Sequence, residues 1–243
     1  MNLIIDVGNT RVKAAVFEKD SLIELFVFEK SKIVSEIKKI ISNHKISSAI
    51  ISSVAKLSDF KLQKLHQILD LVELSHQTKV PFKNKYATPK TLGVDRIALA
   101  SAGVRKYPNK NILIIDAGTC VTFDFVNKKG EYLGGAISPG IKMRYNALHN
   151  YTAKLPLLEA STPESYIGNN TNNSIHSGVV NGICNEIDGV INQYKEEFGD
   201  LTVVLTGGDT NFLAKQLKNG IFANPNFVLE GLHTILIYNR AND

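Results

Sequence analysis

Asp6-Val7-Gly8-Asn9-Thr10 interrupts an apolar run that begins at Asn2, and the chain then resumes with Arg11-Val12-Lys13. An Asp-x-Gly-x-Thr turn between two strands presents backbone N–H groups and a hydroxyl in a concavity suited to anionic oxygens, and its glycine lets a ligand approach the backbone closely. The same residue types also make an ordinary hairpin, so one copy decides nothing. A second copy exists. Ile4, Ile5, Asp6 and Gly8 fall on Ile114, Ile115, Asp116 and Gly118 at a constant offset of 110 residues. A third glycine element, Thr206-Gly207-Gly208-Asp209, lies between an apolar strand and a helix. There it is either a tight turn or a place where the backbone passes close to a nucleoside and aims a helix N-terminus at negative charge. Together the three elements suggest two opposed hairpins gripping a polyphosphate.

These residues need strands that end at them and helices that hold the strands. "NLIID" and "RVKAAVF" flank the first turn, and "LIELFVF" is a third strand. "SKIVSEIKKIISNH" carries Ile33, Ile37, Ile40 and Ile41 at helical spacing behind Ser31, a predicted N-cap. "SAIISSV" is apolar and β-branched enough for a buried parallel strand. "SDFKLQKLHQIL" is predicted to be a second capped helix with Phe60, Leu62, Leu65, Ile68 and Leu69 inward. Residues 75–93 lack any period and read as a long loop, a class more often functional than idle. The helix "VDRIALASAGVRKY" follows, and then the opening pattern returns in "NILIIDAGTCVTFDFV".

The second copy continues through the strand "EYLGGAISPG" and helices around "IKMRYNALHN" and "TNNSIHSGVVNGICNEIDGVINQYKEEF". The strand "LTVVLTGGD" and a closing helix near "GLHTILIYN" complete it. The long helix bears an apolar stripe of Ile175, Val179, Val180, Ile183, Ile187, Val190 and Ile191, wide enough for a core or an interface. The expected architecture is therefore α/β, two duplicated lobes divided into 1–108 and 109–243. Each is a mixed sheet flanked by helices, and the cleft between them is the natural ligand site.

Composition narrows the partners. With 44% apolar residues, the 243-residue chain can bury a sizeable core. The formal charge of +5 comes from dispersed lysines with no interleaved aromatics, which argues for a solvated basic surface and against a nucleic-acid platform. No apolar run approaches the roughly 20 residues of a membrane helix, and the N-terminal run stops at Asp6 without a cleavage signal. Cys120 and Cys184 are too few and too far apart for a disulfide framework or a Cys-x-x-Cys zinc site. The six histidines show no ligand spacing. A cytoplasmic location, without membrane or nucleic-acid partners, is the expectation.

The paired hairpins resemble those of the acetate kinase, sugar kinase, heat-shock 70 and actin superfamily, whose lobes are ribonuclease H-like and actin-like. Within it, "DVGNTRVK", "GVDR", "DAGTCVTFD", "GGAISPGI" and "TGG" occur in the order found in the type III pantothenate kinase family, over nearly the whole chain. The departures are Arg11, where small polar residues are common, and Cys120, where alanine is usual. The resemblance implies ATP-dependent phosphorylation of pantothenate to 4′-phosphopantothenate, the entry to coenzyme A. It implies that the segment Asp6, Val7, Gly8, Asn9, Thr10, Arg11, Val12 and Lys13 binds ATP, with Asp6 organising Mg²⁺ through water. Lys13 supplies a point charge, and its lesser alternative is a solvated, outward strand lysine. Thr119, Gly207 and Gly208 would contact the nucleotide, and Asp116 would hold a monovalent cation, K⁺ or NH₄⁺. Asp124 reads as a strand-end acid with a structural role.

For the acceptor, the resemblance makes Asp95 the proton acceptor and gives Tyr86, Gly93, Val94 and Arg96 to pantothenate. An acid beside a guanidinium suits a molecule with a hydroxyl at one end and a carboxylate at the other. Without the resemblance, Asp95-Arg96 reads as a helix-start ion pair. Thr171, otherwise a helix-cap residue with its Asn neighbours, matches a threonine reaching pantothenate from the partner subunit, which implies a homodimer. Two alternatives stand beside this reading. One is a kinase or phosphohydrolase on the same scaffold with another small substrate; the other is a non-catalytic regulatory accessory protein.

Overall fold

The computed structural model describes residues 1–53 and 57–241. The chain opens with three strands, β1 (Asn2–Val7), β2 (Val12–Glu18) and β3 (Ser21–Phe28), then α1 (Ile33–Asn43), β4 (Ser48–Ser53) and α2 (Asp59–His66). Two short strands, β5 (Leu71–Glu73) and β6 (Lys83–Asn84), precede α3 (Val94–Lys106). The first sheet runs β3-β2-β1-β4-β5, with β1 antiparallel to β2 and parallel to β4. Central β1 is buried on both faces, which is why it reads as an unbroken apolar run. Leu3, Ile5 and Val7 pack with Val12, Ala14 and Val16 against Ile33, Ile37 and Ile40 of α1.

The repeat begins with β7 (Asn111–Ala117), β8 (Cys120–Val126) and β9 (Glu131–Pro139), followed by α4 (Ile141–Asn150) and α5 (Thr171–His176). After one π-helical turn at Ser177–Asn181 come α6 (Gly182–Phe198), β10 (Leu201–Thr206), α7 (Thr210–Leu213), β11 (Phe222–Ala223) and α8 (Phe227–Arg240). The second sheet carries the strands in the order β11-β10-β7-β8-β9-β6. The stripe on α5 and α6 is used as core: Ile175, Val179, Val180, Ile183, Ile187 and Ile191 are buried with Leu113, Ile115 and Val203, and Val190 packs beside them. Asp188 on α6 accepts the Lys218 and Asn219 N–H groups. Burial works to raise its carboxyl, and those hydrogen bonds outweigh burial, so its pKa lies below the ordinary value.

Several expectations give way to packing. Two compact units exist, but one comprises Met1–Pro108, Gly130–Tyr132 and the segment from Phe227, while the other takes Asn109–Lys129 and Leu133–Asn226. The division expected at 108 assigned the closing helix to the second half; α8 instead lies against α3, β1 and β4. Gly231 makes this possible, because a Cβ there would strike the Ala98 carbonyl. Residues 130–132 join the first unit because Lys83 and Asn84 of β6 pair in parallel with Glu131 and Tyr132. Residues 75–93 are thus not structureless throughout.

Ser31 is no N-cap: it lies in a 3₁₀ turn, its hydroxyl on Glu29, and α1 begins at Ile33. Phe60 points outward, 64% exposed, under the Lys64 ammonium, because α2 ends after two turns and buries chiefly Leu65. Asp124 lies inside β8 and not at its end; it is fully buried and accepts the Thr122 hydroxyl at 2.9 Å. Val54, in the expected fourth strand, lies outside the described residues. Among the described residues no helix is long and apolar enough to cross a membrane.

Candidate active site

In the first unit the site grows from the β1–β2 hairpin. Asp6 stands one residue before the end of β1, opposite Lys13 in the antiparallel register. Gly8, Asn9, Thr10 and Arg11 form the connection, closed by the Gly8 N–H donating to the Arg11 carbonyl at 3.1 Å. Asn9, Thr10 and the Arg11 side chain are exposed, whereas Val7 and Val12 are buried in the core. A ligand at this turn therefore meets those valines only through their backbone. The parallel neighbour β4 places Ser52 beside Asp6, and its buried hydroxyl donates to Asp6 Oδ1 at 2.8 Å. Sequence reasoning passed over Ser52, because only the register reveals it.

Burial pushes the Asp6 carboxyl above the usual carboxylate range. The Ser52 hydroxyl and the Lys13 ammonium work against that rise, and the Asp95 charge adds to it. Asp95 is thereby brought into the electrostatic neighbourhood of Asp6, although 89 positions separate them in sequence. It sits in the first turn of α3, after Gly93 at the N-cap and Val94. Its Oδ1 accepts the Arg96 backbone N–H at 2.8 Å. A Cβ on Gly93 would collide with that same oxygen, so the glycine is what allows the carboxylate to fold back over the helix start. Arg96 is 6% exposed, with its guanidinium carbon 5.7 Å from the Tyr86 ring centroid and 6.0 Å from that of Tyr132. Tyr132 is a second site residue that sequence reasoning missed.

In the second unit the corresponding hairpin is shorter. Gly118 N–H donates to the Cys120 carbonyl at 2.9 Å, and Ala117 pairs with Val121. The repeat offset of 110 therefore drops by one after the turn, and Thr122, not a lysine, stands opposite Asp116. Thr119 is exposed at the turn, and its carbonyl accepts the Gly140 N–H at 3.2 Å. A Cβ on Gly140 would strike the Gly118 and Thr119 carbonyls, which explains this glycine of "GGAISPGI". Gly207 has φ +96° and sits so close to the Asp116 carboxylate and the Ala117 carbonyl that a side chain would hit both. Gly208, exposed, is open to a ligand. Thr171 is the exposed first residue of α5, capped by Asn170, and helps to line an apolar groove of about 750 Å³ with Leu148, Leu155 and Val179.

The oxygens fit the implied cations. Thr206 faces Asp116 across β10 and β7; its hydroxyl is fully buried and has no hydrogen-bond partner among the described residues. A carboxylate with hydroxyl and carbonyl oxygens nearby is a hard donor set suited to K⁺ or NH₄⁺. Among the described residues no three His, Cys, Asp or Glu side chains cluster to hold a metal. For Mg²⁺, which keeps its waters and leans on one or two carboxylates plus phosphate oxygens, Asp6 would be such a carboxylate.

A family model described as type III pantothenate kinase matches residues 2–193. A type III pantothenate kinase of Flavobacterium johnsoniae is 50% identical over 244 residues, covering 100% of both chains. The chain belongs to the type III pantothenate kinase family. A solved structure titled a conserved putative Baf family transcriptional activator, from Campylobacter jejuni, matches with TM-score 0.64 and 20% identity over 98% of this chain and 99% of that one. A glucokinase from an Antarctic psychrotroph matches with TM-score 0.55 and 13% identity, covering 98% of each. At such identities the likeness concerns fold alone: this chain has the actin-like architecture of sugar kinases.

Proposed function

We propose that this chain transfers the γ-phosphoryl group of ATP to the primary hydroxyl of pantothenate, yielding ADP and 4′-phosphopantothenate on the way to coenzyme A. The observation that carries the reading is the convergence of Asp6, Lys13, Ser52 and Asp95 in one electrostatic neighbourhood at the first glycine hairpin.

Phosphoryl transfer asks the protein mainly for positioning and charge. Gly8, Asn9 and Thr10 offer N–H and hydroxyl donors to phosphate oxygens, and Lys13 adds a fixed positive charge beside them. Thr119, Gly207 and Gly208 take the nucleotide; Asp116 holds K⁺ or NH₄⁺, and Asp6 orients the water shell of Mg²⁺. These cations, when bound, neutralise phosphate charge as it shifts during transfer. Asp95 has one oxygen committed to the Arg96 N–H, which leaves the other to accept the hydroxyl proton of the acceptor. Arg96, with Tyr86, Gly93 and Val94, receives the carboxylate end. Thr171 completes the substrate site of the partner subunit in a homodimer, and the enzyme works in the cytoplasm.

The test is ADP release by the purified chain given ATP, Mg²⁺ and pantothenate, with and without potassium. Pantothenate-dependent ADP that rises with potassium is expected; no release in either condition overturns the assignment.

A further inference from the structure

We propose that a cavity at the C-terminal end of α3 is a further binding site, suited to a small zwitterion of amino-acid size that takes a hydrogen bond from the His233 ring. The cavity holds about 280 Å³ and lies wholly within the first unit, bounded by β2, the β2–β3 turn, α3 and α8. It is remote from the first glycine hairpin. Phe17 stands about 17 Å along β2 from Val12, and Arg105 about 15 Å along α3 from Asp95. The site therefore stands independently of the reaction proposed above.

The floor is apolar and fixed, since Phe17 and Ala102 are 2% exposed and His233 3%. The His233 ring stacks on Phe17 with centroids 4.4 Å apart, and its Nε2 accepts the Asn2 side-chain amide at 3.3 Å. An amide nitrogen only donates, so Nε2 carries the lone pair and the proton of the neutral ring sits on Nδ1. Burial keeps the ring neutral by pushing its pKa down to about 4, with Asp20 opposing and Arg105 assisting the shift. His233 lines the cavity, yet Nδ1 has no hydrogen-bond partner among the described residues. A buried N–H without an acceptor is costly, and a ligand oxygen in the cavity removes that cost.

The rim supplies charges of both signs in equal number. Arg105 pairs with Asp20 at 2.5 Å and Lys106 with Glu230 at 2.9 Å, and all four line the cavity. A bare anion or cation meets as many like charges there as opposite ones. A zwitterion meets both signs favourably: its carboxylate accepts from Nδ1–H and Arg105, and its ammonium faces Glu230. Both rim pairs are partly exposed and so worth little by themselves, which makes the exchange of partners cheap. An apolar side chain on the ligand covers Phe17 and Ala102.

The experiment is calorimetry on the full chain with L-leucine, with 4-methylpentanoate, which lacks the ammonium, and with 3-methylbutylamine, which lacks the carboxylate. L-Leucine is expected to bind saturably, and each single-charge analogue about tenfold more weakly or worse. His233→Phe keeps the stacking but has no donor, and should weaken leucine binding by about tenfold or more. If that variant does not fold, nitrogen-15 NMR of the wild-type ring decides: Nδ1 is expected to carry the proton, and its resonance to move on saturation with leucine. The proposal is overturned by an absence of saturable leucine binding, by equal binding of all three compounds, by undiminished binding in His233→Phe, by a ring protonated at Nε2, or by an Nδ1 resonance that leucine leaves unmoved.

Discussion

Lys13 and Thr122 occupy equivalent places in the two hairpins, each opposite an aspartate in the ladder, and the difference between them matches the two tasks proposed for the hairpins. A lysine beside Asp6 makes a mixed-charge site, which suits the phosphate and hydrated Mg²⁺ proposed for it. A threonine beside Asp116 adds no positive charge there, in keeping with the cation proposed for that carboxylate. Asp95, the proposed base, lies in the electrostatic neighbourhood of Asp6. Asp95→Asn keeps the shape and the hydrogen bond to the Arg96 N–H but cannot take a proton, so turnover should fall by about 10²-fold or more. ATP affinity, measured by calorimetry, should be nearly unchanged. Gly207→Ala should fail differently, since its φ of +96° and its contact with the Asp116 carboxylate leave no place for a methyl group. A loss of roughly 2 kcal/mol in a denaturant titration, with a raised KM for ATP, is expected.

Helix α8 shows how an element distant in sequence becomes part of the first unit. It closes one face of β1 and β4, and its contact with α3 runs through Gly231 against the Ala98 backbone. Alanine at 231 would gain about 1 kcal/mol of helix propensity. The same methyl group would force two buried helices apart, at about 1–3 kcal/mol or more. Since the neighbour is backbone and cannot turn aside, the clash wins, and Gly231→Ala should lower the melting temperature. A melting temperature at or above wild type would show that α8 can shift along α3. The β6–β9 pairing is the second such element: two residues on each side, too short for any periodicity, yet enough to bring Tyr132 to Arg96.

At the scale of the whole molecule, His233 makes one contribution to the pH dependence of stability. It is 3% exposed, stacks on Phe17 at 4.4 Å, and has its pKa pushed down to about 4 by burial, with Asp20 opposing and Arg105 assisting the shift. An unfolded chain takes up this proton as pH falls through about 6.5, whereas the folded one does so only near 4. Stability is therefore complete above 6.5 and declines between 6.5 and 4, by on the order of 3 kcal/mol for this one group. His233→Phe keeps the stacking and removes the titration, so its unfolding free energy should vary less over that window in denaturant titrations at successive pH values.

Much of this was legible in the chain itself. The duplicated Asp-x-Gly turns, the third glycine element, the strands leading into them and the long helices follow from local patterns, because turn chemistry and the periods of strand and helix are written within a few residues. Motif order added the family and thereby the roles proposed for Asp95, Arg96 and Asp116. What the local pattern does not carry is pairing between distant segments. Ser52 meets Asp6 only through parallel register, Tyr132 reaches Arg96 only through β6 and β9, and α8 reaches the first unit only by packing. Likewise, the stripe on α5 and α6 had two uses until the sheet beneath it was built, and then burial against Leu113 and Ile115 chose the core. The sequence by itself determined which groups could grip phosphate and accept a proton. Tertiary structure alone decided their neighbours, because burial, register and close backbone approach are properties of surfaces that meet only after folding.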